Sequence, residues 1–319
     1  MNSRFRLFGI CLLVLVMLGG RLIQAQTLDE ALNVPGGTLE FTTFSSPEAP
    51  PYPWTVVTEP EATHDGGAAA RSGAVGYYYP SGTYVRSILN TTLTGSGLLT
   101  FWTKGTGRCE LYIRKNNAGA ERIDTSWVSD QDGEWRFHRQ RLRDNQNTVQ
   151  WRFENRQYGS QPGQTEHYFL LDEVCWHPAD EQGYVFQLNE DGVSYALLAY
   201  MGQAVELNVP ATFAGKPVTV IGEEAFADQG RPKAVVLPEG LRRIEANAFS
   251  YSSLVSVTLP STLQYIGERA FYGSDLEQVV LPSGLTEIGE SAFRWCDLTS
   301  IVFADRNGKD ITLGEACFA

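Results

Sequence analysis

The 319-residue sequence is poor in the groups on which most enzyme chemistry rests. Its four histidines, at 64, 138, 167 and 177, form no H-x-x-x-H pair and stand beside no paired cysteines, so no zinc spacing is present. They read as surface or turn histidines. There is no G-x-S-x-G elbow, no phosphate-binding loop and no dinucleotide fingerprint. The chain is accordingly expected not to be an enzyme. Basic residues are scarce too: 25 Lys and Arg face 37 Asp and Glu, a net charge of −12. Nucleic acid and anionic membrane surfaces both call for clustered cations, and this balance excludes them as partners.

One apolar run stands at the very start. Arg4 and Arg6 form a basic lead, Leu7 to Leu18 the apolar stretch, and Ala25 precedes a cleavage point. Residues 1–26 therefore read as a secretory signal peptide, the run being short for a membrane span. An uncleaved membrane anchor is the other reading, whereas Cys11 lacks the context of a lipid-anchor site. Cleavage removes Arg4, Arg6 and Arg21; 25 less 3 leaves 22 basic residues against 37 acidic, near −15. The expected location is secreted or at the cell surface.

Four cysteines follow the signal stretch, and export permits disulfides. Cys109 and Cys175 each sit in a strand-like run, where they either bridge or remain separate buried thiols. Cys296 shares its place with Ser252 and Ser274, and Cys317 with Ala270 and Ala292. Both places ask for a small core residue rather than a bridge.

From Leu28 to Pro178 helical periodicity is absent. Leu99–Thr103, Cys109–Arg114, Val149–Phe153 and Tyr168–Trp176 alternate as strands between Gly, Asn, Asp and Pro clusters. Residues 28–178 are expected to form an antiparallel β-sandwich, their length suiting a jelly roll. Alternation puts Asp172 on the face of Leu170 and Val174, where an ionised carboxylate needs a partner. A structural calcium, a backbone turn or an arginine would each serve; no other cofactor is expected. Tyr77, Tyr78 and Tyr79, with Tyr84, crowd four rings into a short segment. They either offer a stacking surface for sugars or a protein anchor, or pack alternately inward.

From residue 186 to 319 the sequence repeats itself. Pro238, Pro260 and Pro282 are 22 residues apart, and Ile221, Ile244, Ile266 and Ile288 keep nearly that step, as do Phe226, Phe249, Phe271 and Phe293. A period of this length with recurrent Leu and Ile indicates a leucine-rich repeat solenoid, whose units bury their apolar stripes only by stacking. The strand of each unit is the V-x-L step, with Val257 and Leu259 inward and Ser256 and Thr258 outward. Proline ends it. Gly222, Gly267 and Gly289, with Glu245 as the exception, suit a corner needing unusual backbone angles.

The pattern L-P-x-x-L-x-x-I-G-x-x-A-F, continued by Cys296, resembles the BspA-like bacterial surface leucine-rich repeat. That resemblance implies a secreted or surface-exposed protein that binds other macromolecules. In the first half, His64-Asp65-Gly66-Gly67-Ala68-Ala69-Ala70-Arg71-Ser72-Gly73, Thr92–Trp102 and Leu171-Asp172-Glu173-Val174 are similar to landmarks of a bacterial extracellular jelly-roll module related to MAM and concanavalin-like sandwiches. Lys104, and Leu171 where a Trp often stands, depart from it.

A solenoid usually binds through its strand face. The outward positions here are Ala234, Ser256, Gln278 and Ser300, then Val236, Thr258, Val280 and Val302, with Lys233 and Glu277 alongside. Small, hydroxylic and β-branched, they suit protein contact. Tyr251, Tyr272 and Trp295 fall on the turns between units, either as an exposed strip or as caps on neighbouring coils. The function expected is recognition or adhesion, with host or extracellular-matrix proteins as partners. The alternative is carbohydrate binding by the sandwich with the solenoid as spacer. The last copy stops at Phe318-Ala319 without a polar cap, so the chain is expected to be a fragment or to have that end covered by a partner.

Overall fold

The computed structural model describes residues 28–32, 39–45, 53–59, 62–64, 68–73, 77–78, 83–84, 86–105, 108–115, 121–122, 134–143, 146–154, 168–306, 308 and 310–319. Residues 1–26, expected from the sequence to be a signal peptide, and Tyr79 lie outside them, as do the side chains of Tyr77, Tyr78 and Cys109. The chain divides into two compact units. One comprises Met1–Thr94, Leu99–Gln140 and Asp144–Trp176; the other Gly95–Leu98, Arg141–Arg143 and His177–Ala319.

Among the described residues of the N-terminal part, ten strands make two five-stranded sheets. The first runs Thr42–Ser45, Arg86–Thr94, Gln146–Glu154, Arg108–Lys115, Glu121–Arg122, antiparallel throughout. The second runs Arg136–Leu142, Gly97–Gly105, Phe169–Pro178, Ala69–Arg71, Thr55–Val57. Alternation does the folding: Val149, Trp151 and Phe153 are buried while Gln150 and Arg152 are only half so. The two sheets meet through rings. Phe101 packs edge-on to Trp151 at 5.6 Å, and Phe153 stacks on Phe169 at 6.5 Å. Full burial of side chains this size contributes roughly 1.5–3 kcal/mol each.

Asp172 is buried, as its place in the alternation requires, and backbone satisfies it. Oδ2 accepts the His64 N–H at 2.8 Å and Oδ1 the Glu173 N–H at 2.8 Å. Glu173 takes a left-handed φ of 47°, and Leu171 and Asp172 before it are both fully buried. Cys175 carries a free thiol, so the bridge to Cys109 considered from the sequence is not made. Cys296 and Cys317 are free as well. The Cys296 thiol, raised in pKa by burial, donates to the Phe271 carbonyl at 3.0 Å.

The C-terminal unit begins with an antiparallel hairpin, Tyr184–Leu188 against Tyr195–Tyr200. Its turn is built by Asp191, whose carboxylate accepts the Ser194 hydroxyl and the Val193 and Ser194 amides; those bonds hold its pKa below the ordinary value. Tyr195–Tyr200 then pairs in parallel with Lys216–Ile221, and the solenoid follows for about five turns.

Each turn contributes to two parallel sheets, not one. The expected strands are present as Ala234–Val236, Ser256–Thr258, Gln278–Leu281 and Ser300–Phe303, stacked after Glu206–Asn208. A second short strand forms where the sequence suggested only a return to the core: Arg243–Ile244, Tyr265–Ile266, Glu287–Ile288 and Thr312–Leu313. The third side is a ladder of turns. Phe226, Phe249, Phe271 and Phe293 each donate their amide to a carbonyl one coil onward, those of Ala248, Ala270, Ala292 and Cys317, at 2.7–2.8 Å. Inside, those rings stack nearly parallel, with centroids 4.7, 5.1 and 4.9 Å apart. The core is one continuous cluster from Tyr184 to Cys317.

The corner glycines serve a different purpose from the one expected. Gly222, Gly267, Gly289 and Gly314 all have ordinary negative φ. A Cβ on Gly267 would lie 2.7 Å from the Ala246 nitrogen, and one on Gly314 2.3 Å from the Glu290 nitrogen. Close approach of one coil's backbone to the next is what selects glycine. The left-handed angles come two residues later, at Glu224, Asn247, Arg269, Ser291 and Ala316, with φ of 52–55°. They recur four residues on, at Asp228, Tyr251, Gly273 and Trp295. Non-glycine residues held there cost on the order of 1–3 kcal/mol each, a cost the stacked ladder outweighs.

Candidate functional site

All eight residues proposed for the strand face lie on it. In-register parallel pairing stacks Ala234, Ser256, Gln278 and Ser300 into one row, and places Val236 beside Thr258 and Val280 beside Val302 in the other. One residue away, Val235 and Val279 are buried, Val257 is half-buried and Ile301 is exposed. The second row presents apolar surface to solvent, with Val236 44% exposed, Val280 58% and Val302 48%. Thr258 interrupts it with a hydroxyl. Neither row carries a charge. Next to Ala234, Lys233 Nζ lies 3.7 Å from Asp275 Oδ2. A flat, uncharged surface of small and β-branched groups on a rigid backbone loses little entropy when covered.

The N-terminal unit holds a cluster that the sequence did not announce. His64 stacks on Trp102, ring centroids 3.8 Å apart at 18°, with Trp135 edge-on at 5.6 Å. Its Nδ1 is 2.9 Å from Glu173 Oε2. Lys104 Nζ lies 5.9 Å from the Trp135 ring centre, and Phe137 packs 5.1 Å from Trp102. Trp102 and Lys104 alternate with buried Phe101 and Thr103, so the cluster sits on the outer side of the second sheet. Residues 64, 102, 135 and 173 come from distant segments, and no spacing links them.

His138 is not the surface histidine expected either. Its ring stacks on Phe101 at 5.0 Å and its Nε2 is 2.7 Å from the Thr103 hydroxyl. Burial, with a smaller contribution from Arg136, lowers its pKa to about 4. Among the described residues no three His, Cys, Asp or Glu side chains converge as a metal site would need. Tyr77 and Tyr78 lie on a two-stranded ribbon, Tyr77–Tyr78 against Thr83–Tyr84. The structure therefore brings the strand-face residues together and leaves the tyrosine segment apart from them in sequence and sheet.

Residues 206–319 match the family described as the BspA type leucine rich repeat region, in six copies. No curated protein matches the sequence. Among solved structures, the pneumococcal vaccine antigen PcpA is similar at 22% identity and a TM-score of 0.35, over 41% of this chain and 38% of that one. A leucine-rich repeat protein from Eubacterium ventriosum is similar at 22% identity and a TM-score of 0.33, over 44% of this chain and 39% of that one. The K1 cleaved adhesin domain of Lys-gingipain from Porphyromonas gingivalis is similar at 18% identity and a TM-score of 0.30, over 42% of this chain and 88% of that one. The chain thus spans well under half the length of the first two of these proteins.

Proposed function

We propose that this chain is an exported binding protein, not a catalyst, that recognises a protein partner through the strand face of its repeats. The observation that carries the reading is the pair of rows Ala234–Ser256–Gln278–Ser300 and Val236–Thr258–Val280–Val302, uncharged and, but for the half-buried Ala234, exposed on parallel strands. Exposed apolar side chains gathered on one rigid surface mark interaction sites. The BspA-type repeat region over residues 206–319 supports the same reading. The N-terminal sheets are read as a jelly-roll module that accompanies the repeats, and the partner as an extracellular-matrix or cell-surface protein. The test is a surface-plasmon screen of the full chain against such proteins, repeated with Ser256→Arg. A contact that this charge weakens supports the face as the site. If every contact observed survives it, the face is abandoned.

A further inference from the structure

The turn after each core phenylalanine carries side chains outward between coils. Tyr251, Tyr272 and Trp295 come from three successive coils, and their rings form one run. Tyr251 and Tyr272 have centroids 5.4 Å apart at 80°, and Tyr272 and Trp295 5.0 Å apart at 42°. Tyr251 is 57% exposed and Trp295 61%. Counted from the core phenylalanine, Tyr251 and Trp295 occupy the second following position and Tyr272 the first. The second position of the middle coil is Gly273, where a Cβ would lie 2.9 Å from the Tyr251 ring. That missing side chain lets the three rings meet.

The fold gives no reason for the arrangement. Tyr251 and Trp295 hold left-handed φ of 49° and 61°, at a place where the other coils have Asp228 and Gly273. Successive coils all take a left-handed angle at this place, and bulky residues are disfavoured on it. Guanidinium groups flank the run, Arg269 at 5.9 Å from the Tyr272 ring centre and Arg294 at 5.2 Å from that of Trp295. Arg269 Nε also lies 3.6 Å from Glu268 Oε1.

We propose that this strip is a platform for a linear glycan. The C–H faces of sugar rings lie on the exposed Tyr251 and Trp295, with Tyr272 set between them at 80° to the one and 42° to the other, and Arg269 and Arg294 reach hydroxyl or carboxylate oxygens along the chain. Two points select a glycan over a protein. The strip is one ring wide, whereas a stable protein interface covers about 800 Å² per partner. Its ring step also follows the coil spacing, which is of the order of the repeat of an extended pyranose chain. Tyrosine and tryptophan supply rigid amphipathic contact area at low conformational cost. Neutral and uronic-acid chains share this chemistry, and the guanidinium groups suit the second.

The full chain is titrated calorimetrically with cellohexaose, xylohexaose and hexagalacturonate, with poly-glutamate as an acidic-peptide control. At least one hexasaccharide binds saturably. Trp295→Gly weakens that binding about tenfold or more while the melting temperature does not fall, because glycine accepts the φ of 61°. Trp135→Ala, in the N-terminal cluster, and Val280→Arg, on the strand face, leave glycan affinity within about twofold. The proposal is overturned by no saturable hexasaccharide binding, by binding indifferent to Trp295→Gly, by loss with Trp135→Ala instead, or by binding of poly-glutamate alone. Because Val280→Arg acts on the strand face, failure of the protein-binding reading and failure of this one are separable.

Discussion

Gly289 and Glu268 touch across a coil boundary: a Cβ on Gly289 would stand 2.5 Å from the Glu268 amide nitrogen. Backbone cannot move aside as a flexible side chain can. Gly289→Ala is therefore expected to push two coils apart and cost about 1–3 kcal/mol or more. Chemical denaturation reads this as a lower midpoint. Gly308→Ala, at a φ of 79° but with open space around it, separates steric contact from backbone angle. Its loss is expected to be smaller, near 1 kcal/mol.

Left-handed positions answer in the opposite direction. Ala316 is exposed at a φ of 52°, and Ala316→Gly relieves that angle. The gain is expected to be about 0.5–1 kcal/mol, set against the extra freedom glycine has when unfolded. Asn247, at 54°, already suits the region, so Asn247→Gly should leave the melting temperature nearly unchanged.

The phenylalanine stack carries the repeat core. Phe271 is fully buried between Phe249 at 5.1 Å and Phe293 at 4.9 Å. Phe271→Ala should cost about 3–5 kcal/mol, and equilibrium unfolding of the full chain measures it. A loss below about 1 kcal/mol would mean that the coils collapse around the gap.

His138 gives the N-terminal unit an acid sensitivity. Its folded pKa of about 4 lies below the unfolded value near 6.5, so the unfolded chain binds the proton first. The stability it contributes is complete above pH about 6.5, declines as the pH falls, and is exhausted below about 4. The amount is on the order of 2 kcal/mol after allowance for its partial exposure. Denaturation midpoints from pH 7 to 4 should fall less steeply in His138→Gln than in the unchanged protein.

The solenoid was legible because each coil repeats the same packing problem. Core positions such as Ile266 and Phe271 recur in register, and the V-x-L strands fell where the alternation put them. What escaped was whatever depends on contact between coils. Gly267 looks like a turn residue in one dimension and is in fact a site of backbone approach. The strand Tyr265–Ile266 is too short for a periodic signal and exists only because its neighbours pair with it. In the N-terminal unit the strands were readable from alternation, whereas the His64–Trp102–Glu173 cluster was not, since its parts meet only through the sheet. His138 looked like a polar surface residue because its partners, Phe101 and Thr103, lie on another strand. Period-2 logic put Ser256, Thr258 and their equivalents on one face of the strands, and in-register pairing stacks them there.

The central claim is that the strand face binds the partner, and affinity measured on Val280→Arg tests it most directly. The reference is Thr312→Arg, an exposed position on the other parallel sheet. Against the matrix or cell-surface protein that binds the unchanged chain, Val280→Arg should weaken affinity by about tenfold or more, near 1.4 kcal/mol. Thr312→Arg should change it less than about twofold. Equal affinity for the Val280→Arg and unchanged chains, or a loss confined to Thr312→Arg, would contradict the account.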